Sequence, residues 1–239
     1  MAFILPACDN GGEPDLPTPD KVGMVAHTFI NDTLVVEQGI DAVPESDGIF
    51  LAWYSLRDPN ISRYTIYRMK GETYFQPLRS IDLENASPGK DTTYTDDNQE
   101  AGLDLNVYYS YFVTATNKNG EEGMPLDTVK YLLIDKPQLI RPNGEFYDPQ
   151  SDGLPLLEWK FVDIQDQYIL RIENILFEQV HYIGIFQSNY DNDLQITDLN
   201  AIENFPPFAP GDYRWRIDSV GPEADDSGAE SNWYVFTIL

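Results

Sequence analysis

Leu51-Ala52-Trp53, Tyr64-Thr65-Ile66-Tyr67-Arg68 and Tyr109-Ser110-Tyr111-Phe112-Val113-Thr114-Ala115 return in the same order later in the chain. The second set reads Leu157-Glu158-Trp159, Tyr168-Ile169-Leu170-Arg171-Ile172 and Tyr213-Arg214-Trp215-Arg216-Ile217-Asp218-Ser219. The Trp-to-Tyr interval is 56 positions in the first set (53 to 109) and 54 in the second (159 to 213). Matched order at near-matched spacing predicts two domains of one architecture. Each run alternates with period two, the pattern of a strand with one buried face. No stretch holds a 3.6-residue apolar period over three turns, so the chain reads as all-β.

The 239 residues divide into a segment over 1–19, a first domain over 20–136 and a second over 137–239. Hydrophobic residues make up 42% and aromatics 13%, enough to fill two cores. The junction Asp135-Lys136-Pro137 is short. It predicts two domains held end to end with limited freedom and with separate sheets. No apolar run approaches the roughly 18 residues that span a bilayer. The net charge is −25, spread along the whole chain. Such a surface repels phosphate backbones and anionic headgroups, which argues against nucleic acid and acidic lipid as partners. It suits a solvated exterior, or an acidic face for a basic partner or for divalent cations.

Both copies resemble fibronectin type III domains, seven-stranded sandwiches of the immunoglobulin-like class. The resemblance lies in the core Trp (Trp53, Trp159), in the third-strand run (Tyr64–Arg68, Tyr168–Ile172) and in the sixth strand. There Tyr109, Tyr111, Val113, Ala115, Asn117 and Gly120 match closely, and Tyr213, Trp215, Ile217, Ser219 and Gly221 more loosely. The resemblance implies that Tyr109 and Tyr213 are tyrosine corners, their rings inside and their hydroxyls bonded to backbone. Ser231-Asn232-Trp233 beside Tyr213-Arg214-Trp215-Arg216 is similar to the Arg–Trp ladder of cytokine-receptor domains, which implies guanidinium groups stacked on an indole. Trp215 and Trp233 are therefore structural residues, with Trp53, Tyr109, Trp159 and Tyr213.

Cys8 is the sole cysteine, so no intrachain disulfide forms. Leu5-Pro6-Ala7-Cys8 resembles the lipobox of bacterial lipoproteins, which implies a lipid on Cys8 and a place in the bacterial cell envelope, periplasmic or surface-exposed. Only seven residues precede Cys8 and none is basic, so the expectation includes a signal that continues upstream. The alternative is an incidental free thiol. Asp9 to Pro19, rich in Gly, Pro and acid, reads as a flexible-to-extended tether.

Catalytic spacing is missing. His27 and His181 stand alone, and no nucleophile elbow, phosphate-binding Gly loop or dinucleotide fingerprint occurs. Asp191-x-Asp193 and Asp225-Asp226-Ser227-Gly228 are fragments of calcium loops without the closing Glu. The expectation is a non-enzymatic binding or scaffolding lipoprotein with no cofactor and no metal, its partner another envelope or extracellular protein. Loops joining the last two strands of each sandwich are the candidate contacts: Asn117 to Gly123, with Asn117, Asn119, Glu121 and Glu122, and Gly221 to Glu230, with Asp225 and Asp226. The alternatives are a passive spacer or assembly subunit, or a carbohydrate-binding module. The loop-placed rings Phe146, Tyr147, Tyr190, Phe205 and Phe208 would then stack sugars; otherwise they close the core ends.

Overall fold

The computed structural model describes residues 15–26, 48–83, 92–97, 102–160, 167–189, 193–221 and 227–239. The chain is all-β and forms two immunoglobulin-like sandwiches. In the first, β1 (Met24–Val25), β2 (Ile49–Trp53) and β5 (Thr93–Asp96) make one sheet in the order β1-β2-β5. Facing it, β3 (Ile61–Lys70), β4 (Gln76–Asp82), β6 (Tyr108–Asn117) and β7 (Val129–Leu133) pair in the order β4-β3-β6-β7.

The second sandwich repeats the plan. β8 (Gln138–Arg141), β10 (Leu156–Lys160) and β13 (Leu194–Asp198) make the small sheet. β11 (Gln167–Asn174), β12 (Gln179–Gln187) and β14 (Gly211–Val220) make the large one, completed by β15 (Ser227–Glu230) and β16 (Tyr234–Ile238). A short β9 (Glu145–Tyr147) runs parallel to β16. Three strands against four, in this order, is the fibronectin type III arrangement that the resemblance implied.

The two copies agree in register as well as order. Tyr64 faces Ala115, Ile66 faces Val113, Arg68 faces Tyr111 and Lys70 faces Tyr109. In the second copy Tyr168 faces Ser219, Leu170 faces Ile217, Ile172 faces Trp215 and Asn174 faces Tyr213. One core gathers Trp53, Tyr64, Ile66, Tyr109 and Tyr111; the other gathers Trp159, Tyr168, Leu170, Tyr213 and Trp215. Each Trp meets the first tyrosine of the facing sheet edge-on, at 5.8 Å for Trp53 and Tyr64 and 5.1 Å for Trp159 and Tyr168. A thin core gains large apolar area this way together with a favourable ring geometry. Both corner hydroxyls are bonded to nearby backbone. Tyr109 Oη accepts from the Asp104 N–H at 2.9 Å, and Tyr213 Oη donates to the Ala209 carbonyl at 3.0 Å.

The separate sheets expected from the junction are not found. The end of β7 pairs in parallel with the start of β15, Leu132 opposite Ser227 and Leu133 opposite Gly228, so a ten-stranded sheet runs through both sandwiches. The physical reason is a break in the last strand of the second copy. Ser231 to Trp233 interrupts it, β16 takes the first half of β14, and β15 takes the second half while offering its other edge to β7. The small side chains of Ser227, Gly228 and Ala229 let the backbones approach. Ile134 N–H adds a bond to the Gly228 carbonyl, and Leu132, Ile134 and Ala229 form a small third core over the seam. Because the strands are parallel and staggered end to start, the second sandwich continues onward from the first in the direction of β7.

Other expectations were adjusted by the structure. Val22 to Phe29 reads as a strand, but the described part holds only Met24–Val25 and a bridge from Val22 to Pro125. Leu34–Val36 also reads as a short strand in the sequence, and it lies outside the described residues. Strands β4, β9, β13 and β15 have no counterpart in the sequence pattern. Leu199–Ala201 is a 3-10 turn capped by the Asp198 carboxylate, which accepts from the Asn200 N–H. Among the described residues, no helix is long and apolar enough to cross a membrane.

Candidate functional site

The candidate loop of the first sandwich is built around Asn117, which is 1% exposed. Its Oδ1 accepts from the N–H groups of Asn119 and Glu121, both at 3.0 Å. Its Nδ2 donates to Glu121 Oε2 and to the Pro17 carbonyl, both at 3.1 Å. The amide is spent on shaping the turn, which takes Asn117 out of the contact set. Asn119, Glu121 and Glu122 are exposed. Glu122 Oε1 receives the hydroxyls of Tyr67, at 2.8 Å, and of Thr114. Desolvation first, then Glu122, pushes the Tyr67 phenol up to about 12.

The bond to Pro17 also ties the end of the expected tether to the first sandwich. Residues 15–21 form no strand, yet Pro19 is buried against this loop. A Cβ on Gly123 would lie 2.7 Å from the Pro19 carbonyl oxygen, so only glycine allows that approach. The incoming chain is thus fastened to the loop that joins β6 and β7. Cys8 lies outside the described residues.

The second candidate loop resolves differently. Asp225 and Asp226, with Asp191, lie outside the described residues, and Ser227–Glu230 is the buried strand β15 rather than a contact loop. Beside it stands the stacking ladder. The Arg214 and Arg216 guanidinium carbons lie 4.2 and 4.8 Å from the Trp233 ring centroid. Arg216 pairs with Asp218 and Glu230, both at 3.0 Å, and Glu173 receives Arg171 and Arg214, both at 2.8 Å. Burial works against the Glu173 charge, but the two arginines outweigh it and hold its pKa below the ordinary carboxylate value. Trp215 is fully buried and donates to the Pro142 carbonyl at 3.0 Å. Among the described residues, no group of three His, Cys, Asp or Glu is placed to hold a metal ion.

Most of the loop aromatics of the second copy close the sandwich end. Phe208 stacks on His181 at 4.3 Å and meets Tyr213 edge-on at 4.7 Å, while Phe205 packs on Tyr182 at 4.8 Å. Burial lowers the His181 pKa. Tyr147 packs on Phe236, and Tyr190 lies outside the described residues. Phe146 alone of the five is exposed among the described residues.

Two features have no signal in the sequence. One is a cleft of about 730 Å³ at the junction, lined by Leu105, Lys136, Gln138, Asn232 and Tyr234 among others. The other is a buried polar cluster in the first sandwich. Asp96, 0% exposed, receives Arg68 Nη1 on both carboxylate oxygens at 3.0 and 2.9 Å and the Tyr111 hydroxyl at 2.7 Å. Burial opposes the Arg68 charge, but Asp96 more than compensates; burial and Asp96 together push the Tyr111 phenol strongly up. Asp96 reads in the sequence as the polar end of a short strand, and only the fold brings it beneath β3 and β6.

No protein-family description matches the chain, and no curated protein does. Solved structures similar to it include the FN1–FN3 domains of chicken CNTN1, at 14% identity over 92% of this chain and 66% of that one, TM-score 0.30. A two-domain fibronectin type III segment of chicken tenascin is similar at 13% identity, over 79% and 93%, TM-score 0.30. A tetra-tandem repeat from the extending region of a large adhesion protein is similar at 11% identity, over 92% and 49%, TM-score 0.32. The chain thus spans just under two thirds of the first and about half of the third. The fold assignment rests on the strand order and register.

Proposed function

We propose that this chain is a non-catalytic module of the bacterial cell envelope, anchored through a lipid on Cys8, that holds a protein-binding surface at a fixed distance and orientation. The observation that carries the reading is the continuous sheet. The chain enters at the β6–β7 loop, the first sandwich leads away from that loop along β7, and the β7–β15 pairing extends the second sandwich in the same direction. Cys8 and Pro17 are nine residues apart, a reach of at most about 30 Å, so a lipid on Cys8 turns the Asn119–Glu122 surface toward the membrane. The opposite extreme is the β11–β12 turn, where Ile175, Leu176 and Phe177 stand exposed together, Leu176 at 78%. Three consecutive exposed apolar side chains on a chain of charge −25 are an apt protein contact.

The test pairs anchor and contact. With an upstream signal restored, metabolic lipid labelling marks the wild type and not Cys8→Ser. A photo-crosslinking residue at Leu176, in the native envelope, yields a discrete adduct with one protein, and the same probe at Lys118 does not. Labelling that survives Cys8→Ser removes the anchor. Equal, diffuse crosslinking from both positions removes the protein-binding reading, as does hydrolysis of glycan or peptide by the purified chain.

A further inference from the structure

The first sandwich carries a second cleft, of about 360 Å³, at the hairpin between β3 and β4. Arg68, Lys70, Thr73, Tyr74 and Gln76 line it, together with the apolar Pro77 and Leu78. The volume is at the small end of the range for ligand clefts, about 300–1,000 Å³, and suits a small polar molecule rather than a folded partner.

The two copies of the fold act as an internal control on this cleft. By register, Arg68 corresponds to Ile172 and Tyr111 to Trp215. Counting on from the Leu51–Tyr94 and Leu157–Thr197 pairs, Asp96 corresponds to Leu199. The second sandwich fills the same three positions with apolar side chains, with Leu199 and Trp215 at 0% exposure. The architecture therefore does not need a buried Arg–Asp–Tyr cluster here. Exchanging buried ion pairs for apolar residues is commonly neutral or stabilising, so stability is a weak reason to retain this one.

What the cluster does is hold a guanidinium still at the cleft wall. Both bonds to Asp96 come from Nη1, and the Arg68 side chain is 22% exposed. Among the described residues, Nε and Nη2 have no protein acceptor, so a rigid pair of donors remains for the cleft. Tyr74 adds a ring that is 68% exposed at the rim and belongs to neither core. Gln76 and Thr73 add groups that both donate and accept. The two cations present do not make an anion site, because Asp96 neutralises Arg68 and Asp104 pairs with Lys70. Donors and acceptors in alternation, a fixed planar guanidinium for adjacent hydroxyls and an open aromatic face are the chemistry that recognises a neutral sugar ring.

We propose that the cleft between Arg68 and Tyr74 binds a neutral saccharide unit. The site goes beyond the protein-binding reading above and stands or falls without it. The test is a titration of the ¹⁵N-labelled full chain with neutral hexasaccharides of glucose, mannose and xylose, with oligogalacturonate as the charged arm. Saturable shifts confined to Arg68 and residues 73–78 with a neutral probe are expected, weakened about tenfold by Tyr74→Ala, the scale of one lost aromatic contact. The triple variant Arg68→Ile, Asp96→Leu, Tyr111→Phe, which makes all three positions apolar as in the second sandwich, is expected to fold and to lose the shifts. Tyr74→Ala decides the matter alone if that variant does not fold, since Tyr74 supports no core. Absence of saturable shifts with every neutral probe, unchanged binding by Tyr74→Ala, or tighter binding of oligogalacturonate overturns the proposal.

Discussion

Removing the side chain of Ile134 should uncouple the two sandwiches without touching either main core. Ile134 is 1% exposed and packs with Leu132 and Ala229 over the β7–β15 seam, outside both large clusters. Its backbone N–H also bonds across the seam, to Gly228. An Ile→Ala change at a buried site costs about 2–5 kcal/mol, the lost transfer energy plus the cavity left behind. Here that loss falls on the energy that joins the sandwiches. The rest of the seam is small: two residue pairs in the ladder, the Leu132 side chain, and net backbone hydrogen bonds of about 0.5–1.5 kcal/mol each. A loss of about 2–5 kcal/mol is therefore a large share of the coupling. The assay is urea unfolding followed residue by residue in NMR, with the amides of Tyr109 and Tyr213 as reporters of the two cores. In the wild type the two reporters share one midpoint. In Ile134→Ala they separate, and residual dipolar couplings no longer fit one orientation for both sandwiches. Two midpoints already present in the wild type, or a variant that still melts as one unit with a loss below about 1 kcal/mol, would refute the seam as the joint.

Trp53→Ala and Trp159→Ala should each cost about 3–5 kcal/mol in chemical denaturation, a large share of a domain's roughly 5–15, because both indoles are buried against a facing tyrosine. A loss under about 1 kcal/mol at either would mean that the strand register is wrong. The Tyr67 phenol, with its folded pKa raised from 10.0 to about 12, stabilises the fold fully below pH 10 and loses that contribution as pH rises through about 12. Ultraviolet titration of the wild type against Tyr67→Phe should show one phenol missing near 12, and Glu122→Gln should bring that phenol down; a difference spectrum centred at 10 in the wild type contradicts the Tyr67–Glu122 contact.

The core was legible because it is repeated. Alternation locates β2, β3, β6, β10, β11 and β14, and the doubled Trp and Tyr positions assign them to one plan. Two of the unread strands show why sequence pattern misses them. β4 is a mostly exposed edge strand containing Pro77 and charged residues, the composition by which edges avoid further pairing, so it lacks the apolar alternation that marks a half-buried strand. β15 is buried, but it is Ser-Gly-Ala-Glu, chosen for close approach rather than β propensity. Nothing local distinguishes it from a loop; its strand state is imposed by β14 on one side and β7 on the other. Asn117 is ambiguous in the sequence for a related reason. A polar residue in a turn can face solvent or build the turn, and only the distant Pro17 carbonyl decides between them.

The same comparison that makes the fold legible also separates what the fold needs from what it does not. Positions alike in both copies, such as the indoles, the corner tyrosines and the alternating third strand, answer to a thin core that each sandwich must fill. Positions that differ at equal register have no such demand upon them. On the core side the first copy departs by placing Arg68, Asp96 and Tyr111 where the second has Ile172, Leu199 and Trp215. On the outer face of the large sheet the second copy departs in turn. Arg171 occupies the register of Tyr67, and Arg216 that of Phe112, and the stacked Tyr67–Phe112 pair at 4.7 Å is replaced by charges bound to Glu173, Asp218 and Trp233. That charged face adjoins β15, the strand that must stay ordered for the seam to hold, and Arg216 ties Glu230 of β15 to Asp218 of β14. The ladder therefore braces the strand that couples the sandwiches, while the first copy's cluster fixes a donor at an open cleft. Departures from the shared plan thus fall at the joint and at the cleft, where demands other than core filling act on the chain.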